Sequence, residues 1–379
     1  MSETNNPLRA LEAHGQAVWL DFVERGFLAQ GGLKKLIAED GVTGVTSNPS
    51  IFEKAMGHGE AYDTGLRDAF ALPGATVQSA YEANAIADIK AAARDLRPVY
   101  DRTQGHDGYV SLEVSPDLAE NTDATIADAR RLWAAVGEPN LMIKIPGTPA
   151  GVPAIRAAIE DGINVNVTLL FSLEAYQQVA FAFLDGLEAR QQKGGSVAGI
   201  ASVASFFISR IDSAIDKKID ERLAAGDAEA EALKAVRGQV AIANAKNAYA
   251  WWQDLSAGAR WQALAEAGAQ PQRLLWASTG TKDKAYPDTL YVDQLIGDQT
   301  VNTMPPATLE AFRDHGTAAS TLTQDLEGAR HVLAETERLG LDLNAVTAAL
   351  VEDGVKQFMT ASDTLFAAVE AKRNAFAAA

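Results

Sequence analysis

The run "LMIKIPGT", residues 141–148, sets one lysine in the middle of an aliphatic stretch that reads as a buried strand. Strands alternate their faces, so Leu141, Ile143 and Ile145 point one way while Met142 and Lys144 point the other. A lysine prefers a helix surface to a strand and is costly to bury. Lys144 therefore faces whatever the sheet encloses.

Seven other β-rich runs recur along the chain: "VWLDF" (18–22), "GVTSN" (44–48), "YVSLEV" (109–114), "NVNVTLLF" (164–171), "ASVASFF" (201–207), "RLLWAS" (273–278) and "TVNTMP". Helical patterns such as "TDATIADARRLWAAVG" and "AGVPAIRAAIEDG" separate them, with apolar residues at three- and four-residue spacing. Strand and helix alternating in this way predict an α/β chain folded as a single (β/α)8 TIM barrel, with a doubly wound open sheet as the competing arrangement. Two connections, at about 49–108 and 208–272, are too long for one helix, and the second suggests at least two. No Pro/Gly/Ser-rich linker sets either apart, so both read as helical insertions on one barrel domain spanning 1–379. The C-terminal segment 307–379 is helix-like throughout.

The 379 residues are 47% hydrophobic, ample for a core. Zero cysteines exclude a disulfide scaffold, thiolate catalysis and a Cys-ligated metal. The five histidines form no HxH or HExxH group, so no metal site is expected. A formal net charge of −17 argues against a nucleic-acid or anionic-membrane partner, and an anionic ligand would need a local cationic pocket. The polar start "MSETNNPLRALEAHGQ" and the lack of a long apolar run lead us to expect a soluble cytoplasmic protein. Monomer and homodimer both stay open.

The alternation test gives the other strands the same asymmetry. Asp21 shares a face with Trp19, Glu113 with Ser111, and Asn164, Asn166 and Thr168 lie together opposite Val165, Val167 and Leu169. In a barrel the apolar face meets the helices and the polar set converges inside, towards the strand ends. Asp21, Glu113, Lys144, Asn166 and Thr168 are then expected around one cavity. Each alone could be an ordinary cap or buried hydrogen-bond partner, and the charged trio could be a structural ion-pair cluster. Their number on matching faces, and the expense of burying charge, favour function.

A lysine of ordinary pKa, about 10.4, has roughly one part in a thousand as free amine near neutral pH, and desolvation raises that share. The free amine can attack a ketone and form a Schiff base, whose iminium is an electron sink for breaking the adjacent carbon–carbon bond. One carboxylate must then move a proton at the cleaved hydroxyl, and a second acid–base system must handle carbinolamine dehydration.

With these residues in hand, the sequence resembles a transaldolase of the longer bacterial type. The segments "WLDF", "GVTSNPSIFEKAM", "SLEVSP", "LMIKIPGTPAG", "INVNVTLLFS" and "ASFFISRID", in order from about residue 18 to 212, carry the resemblance. It implies Lys144 as the Schiff-base residue, Asp21 as the acid–base group of aldol cleavage, and Glu113 with Thr168 as the pair that orders the catalytic water. Asn48 and Asn166 match asparagines that bind substrate hydroxyls, with Thr46 beside them. Ser205 and Arg210 match a phosphate-binding serine and arginine. The commoner family form has a second arginine shortly after "AS" in the seventh strand, whereas this chain reads "WASTGTKDK". Ser278 and Lys282, with the backbone of "STGT" as an anion nest, are the expected substitutes; the alternative for Lys282 is a solvated turn.

The resemblance implies sugar phosphate substrates, no cofactor, and reversible transfer of a dihydroxyacetone unit between them. A Schiff-base aldolase that releases free dihydroxyacetone is the near alternative, and a non-catalytic phosphosugar-binding protein the distant one. The sequon "NVT" at 166–168 lies in a strand and is set aside; no nucleotide-binding glycine loop is present, and Trp251 and Trp252 read as helix packing.

Overall fold

The computed structural model describes residues 6–57 and 59–378. The polar segment 1–5 lies outside them. Eight strands, β1 (Gln16–Leu20), β2 (Val42–Val45), β3 (Tyr109–Glu113), β4 (Leu141–Pro146), β5 (Val165–Leu170), β6 (Ser202–Phe207), β7 (Arg273–Ala277) and β8 (Thr300–Met304), close into a barrel in sequence order. Each neighbouring pair is parallel, including the closing pair of β1 with β8. This is the (β/α)8 barrel that the alternation predicts, and it excludes the open sheet.

Helix α1 (Pro7–Ala13) precedes β1, and α2 (Arg25–Ala29) and α3 (Gly32–Asp40) lead to β2. Between β2 and β3 run α4 (Pro49–Gly57), α5 (Asp63–Phe70) and α6 (Val77–Arg102). Single helices α7 (Thr122–Val136), α8 (Gly151–Asp161) and α9 (Leu173–Gln192) serve the next three crossovers. The stretch read as at least two helices holds α10 (Ser209–Ala224), α11 (Ala230–Val236), α12 (Val240–Ala257) and α13 (Ala259–Glu266). Glycines make the extra breaks: Gly226 and Gly238 adopt positive φ just beyond α10 and α11, and Gly258 caps α12. Helix α14 (Leu290–Gln294) precedes β8, and α15 (Pro306–His315), α16 (Leu326–Arg338) and α17 (Leu343–Ala378) follow it.

Two strands end earlier than their sequence suggests. The runs through Phe22 and Asn48 read as extended, but the ladders stop at Leu20 and Val45. Asp21 still donates its backbone N–H to Met304 O at 2.8 Å before the chain turns, and the Asn48 side chain accepts from Ile51 N to start α4. Both residues thereby stand on the rim at the C-terminal ends of the strands, and not within the wall.

Strands β4, β5 and β6 are buried at every position, as expected where helices cover the outside and side chains fill the inside. The indole of Trp19 occupies the interior so closely that a Cβ at Gly44 would lie 2.4 Å from it. At the N-terminal end Trp19 Nε1 donates to Asp107 Oδ1 at 2.9 Å, and Arg273 Nη2 reaches the same oxygen at 3.4 Å. The bottom is thus plugged by a buried ion pair and an aromatic ring, which leaves the opposite end as the place for a cavity.

Helix α17 crosses that open end, touching α4, α5, α6, α10 and β5. Its seat on β5 depends on a bulge: the β5–β6 register shifts between Val167 and Leu170, and Leu169 takes φ 61. Leu169 packs on Gly354 of α17, where a Cβ would come 2.7 Å from its side chain.

Candidate active site

Lys144 lies towards the C-terminal end of β4 with 5% of its surface exposed. Its Nζ donates to Ser47 O at 3.2 Å and to Glu113 Oε2 at 3.4 Å, while the Phe358 ring of α17 stands 5.4 Å away. Glu113 is its register partner on β3. Burial pushes the Glu113 carboxyl above its ordinary range; Lys144 opposes that rise and Asp21 adds to it.

Asp21 accepts from Thr46 Oγ1 at 2.6 Å. Thr46 Oγ1 also lies 2.7 Å from Thr303 Oγ1, and since Thr46 gives its one hydroxyl proton to Asp21, Thr303 is the donor there. Burial raises the Asp21 carboxyl, with the Thr46 hydrogen bond, Lys144 and Arg210 pulling it back down. The site therefore holds two carboxyls lifted by desolvation on either side of one amine.

Strand β5 supplies Asn166 and Thr168 from one face, with Asn166 beside Lys144 and Thr168 beside Pro146 in the β4–β5 register. Asn166 is wholly buried; it donates to Ser111 Oγ at 2.9 Å and accepts from Ser205 Oγ at 2.7 Å. Thr168 Oγ1 and Glu113 Oε1 are buried and have no hydrogen-bond partner among the described residues. Each has capacity left for a small polar molecule.

Arg210, on the first turn of α10, has its Nη1 buried without a partner among the described residues, and its guanidinium carbon is 5.3 Å from the Phe207 ring centroid. Burial lowers its pKa, against Asp353 and Asp21. A guanidinium nitrogen buried without an acceptor is destabilising on its own and well prepared for an anion. Ser278 follows β7 with φ 57, its Oγ 2.9 Å from Ser209 Oγ and its carbonyl accepting from Ser209 N at 3.0 Å. These contacts tie the start of the β7 loop to the start of α10. Lys282, farther along that loop, is exposed.

A cavity of about 500 Å³ at the barrel mouth gathers Lys144, Asp21, Thr46, Asn48, Thr168, Ser205, Arg210, Ser278 and Lys282 on its walls. Two expected residues stand behind the walls. Asn166 lies beneath Ser205 and reaches the cavity through it, and Glu113 lies behind Lys144. Among the lining residues that escaped the sequence reading are Thr303, Lys54 and Phe358. The alternation test applied to β8 misses Thr303, because it marks Thr300 and Asn302 as the polar face and sets Thr303 with Val301. Lys54 sits in the quoted "NPSIFEK" run, but nothing in its spacing shows that it faces the cavity. Phe358 arrives from a helix more than two hundred positions away from Lys144 in sequence, and no local pattern marks it.

An amine, two carboxyls with raised pKa and a buried cation with an open donor suit covalent chemistry on an anionic carbonyl compound. Comparison with known proteins agrees. Residues 18–369 match the family described as Transaldolase/Fructose-6-phosphate aldolase. The chain is 50% identical over 361 residues to the transaldolase of Thermobifida fusca, covering 95% of this chain and 96% of that one. It is 50% identical over 370 residues to transaldolase 1 of Streptomyces avermitilis, covering 97% and 96%. It is 44% identical over 371 residues to the transaldolase of Trichodesmium erythraeum, covering 97% of each. The chain belongs to the transaldolase/fructose-6-phosphate aldolase family.

Proposed function

We propose that this protein is a transferase of the pentose phosphate pathway that moves a dihydroxyacetone unit between sugar phosphates. Sedoheptulose 7-phosphate and glyceraldehyde 3-phosphate give erythrose 4-phosphate and fructose 6-phosphate, and the reaction runs both ways. The observation that carries this reading is the buried Lys144 amine, held 3.4 Å from Glu113, on the wall of a cavity also lined by Arg210, whose buried Nη1 has no partner among the described residues.

In this reading Arg210, with Ser205, Ser278 and Lys282, takes the substrate phosphate and fixes the sugar along the cavity. Asn48 and Asn166 take its hydroxyls, with Thr46 holding Asp21 in place. The Lys144 amine attacks the ketone carbon. Glu113 and Thr168, each with a free buried oxygen, hold the water that leaves as the carbinolamine becomes the iminium. A carboxyl raised by burial keeps its proton to higher pH, which suits Glu113 as the acid of that step. Asp21 then accepts the hydroxyl proton as the carbon–carbon bond breaks, and the electron pair passes into the iminium to give an enamine. The acceptor aldehyde takes the same path backwards.

Transfer is favoured over aldol release because α17 lays Phe358 over Lys144 and shelters the intermediate until an acceptor arrives. We place the protein in the cytoplasm with its proposed substrates, charged sugar phosphates that do not cross a membrane unaided; no helix among the described residues is long and apolar enough to cross a membrane. The test is a coupled assay with fructose 6-phosphate, with and without erythrose 4-phosphate. Product only with the acceptor means transferase, and product without it means aldolase.

A further inference from the structure

A second, smaller cavity lies behind the catalytic lysine. It holds about 30 Å³ and runs from Glu113 at the end of β3 outward between α4, α6, α7 and α17 to the surface at Gln78. Glu113 lines this cavity and not the main one, whereas Lys144 lines the main one and not this. Of the two carboxylate oxygens, Oε2 meets Lys144 and Oε1 has no hydrogen-bond partner among the described residues, although the side chain is only 4% exposed. Ala85, Leu112 and Leu132 give its walls apolar surface, beside the polar Tyr81, Ser115 and Ser362. Glu82, partly exposed, and Asp128 line it as well. Arg131 straddles those two, donating to both Glu82 oxygens at 2.7 and 2.8 Å and to Asp128 Oδ1 at 2.6 Å.

The space admits about two waters, since one needs roughly 10 to 15 Å³. It is too small for any part of a sugar. It therefore joins the Glu113 side chain to the ion-paired cluster of Arg131, Glu82 and Asp128 at the surface, and its size suits water and not a ligand. Resting on the function proposed above, the need for such a path is clear. When the carbinolamine on Lys144 collapses, its C–O bond breaks, the nitrogen lone pair forms the C=N bond, and the departing hydroxyl takes the Glu113 proton and leaves as water. Hydrolysis reverses each of these changes and consumes a water. Both steps occur with sugar in the main cavity and Phe358 above Lys144, so the mouth is a poor route for that water.

We propose that the cavity behind Glu113 is a side channel, gated by Arg131, through which the water of Schiff-base formation and hydrolysis exchanges with solvent while sugar occupies the main cavity. None of Ala85, Leu132 and Arg131 contacts the main cavity, so the channel can be altered without touching the residues assigned to catalysis.

The experiment measures enzyme-dependent exchange of the fructose 6-phosphate ketone oxygen with ¹⁸O-labelled water, beside the amount of borohydride-trapped adduct. Ala85→Leu, which fills the passage, is expected to slow oxygen exchange at least tenfold while the trapped amount stays within twofold. Arg131→Met, which opens the outer end, is expected to raise exchange severalfold. Wild-type exchange rates in a folded Ala85→Leu variant that traps normally overturn the channel and leave the transferase reading intact. Should Ala85→Leu fail to fold, Arg131→Met decides alone, and unchanged exchange there overturns the proposal. Absence of any trapped adduct in the wild type instead overturns the Schiff-base reading on which the channel rests.

Discussion

Glu113 and Lys144 are register partners on neighbouring parallel strands, and their charged ends meet at 3.4 Å in a nearly dry setting. Strand pairing, and not a mobile loop, fixes the acid beside the amine. Glu113 feels the charge of both Lys144 and Asp21, and Asp21 feels that of Lys144 and Arg210. Burial holds both carboxyls above their ordinary values of 3.8 and 4.5. A carboxylate that must accept a proton is lost as pH falls through its raised pKa. The acid limb of the kcat/KM profile should therefore lie above the range of a solvated carboxylate. A limb at or below about 4, the ordinary range, contradicts this assignment.

Arg210 and Lys282 should separate by burial. Arg210→Ala removes a buried cation and should raise KM for sugar phosphates, with a loss of roughly 2 to 4 kcal/mol in kcat/KM. Lys282→Ala removes an exposed one and should raise KM less, about tenfold at most. Steady-state kinetics on fructose 6-phosphate decide this. An unchanged KM in Lys282→Ala would remove Lys282 from the phosphate site.

Asp21→Asn keeps the shape of the Thr46 hydrogen bond but cannot take a proton. This variant should still form the Schiff base with fructose 6-phosphate, yet turn over at least about a hundredfold more slowly. Intact mass after borohydride reduction should then show the whole six-carbon sugar. A three-carbon adduct, or none, would move the cleavage role away from Asp21, with Glu113 next in line.

Asp212 tests burial without chemistry. It sits in the first turn of α10, accepting from Ala241 N at 2.8 Å and from the Tyr291 hydroxyl at 2.9 Å. Desolvation pushes its carboxyl from 3.8 up to about 7. The folded protein thus keeps a proton that the unfolded chain loses, so this group's stabilisation is full below about pH 4 and lost as pH rises to about 7, a change on the order of 4 kcal/mol. Urea unfolding at pH 5 and pH 8 should show wild type losing stability relative to Asp212→Asn. Parallel profiles for the two proteins would contradict the shift.

Much of the barrel was legible because strand burial and strand alternation act within a few residues. "LMIKIP" and "YVSLEV" reveal their faces without any long-range information, and Lys144 and Glu113 follow from them. Asp21 and Asn48 were found by type and motif, but their place beyond the ladder was not, because strand ends depend on the partner: Asp21 still bonds to Met304 on β8. What stayed hidden depends on contacts distant in sequence. Phe358 meets Lys144 only because Leu169 bulges out of β5 and seats Gly354, and the passage behind Glu113 exists only where α6, α7 and α17 fail to close on β3.

The central claim is that Lys144 carries the transferred fragment. Borohydride reduction in the presence of fructose 6-phosphate, followed by peptide mapping, tests it directly. A three-carbon adduct on the peptide containing Lys144, absent from an inert Lys144→Arg variant whose guanidinium supplies no free amine, is the expected result. An adduct on Lys54, Lys282 or any other lysine, or turnover surviving in Lys144→Arg, would contradict it.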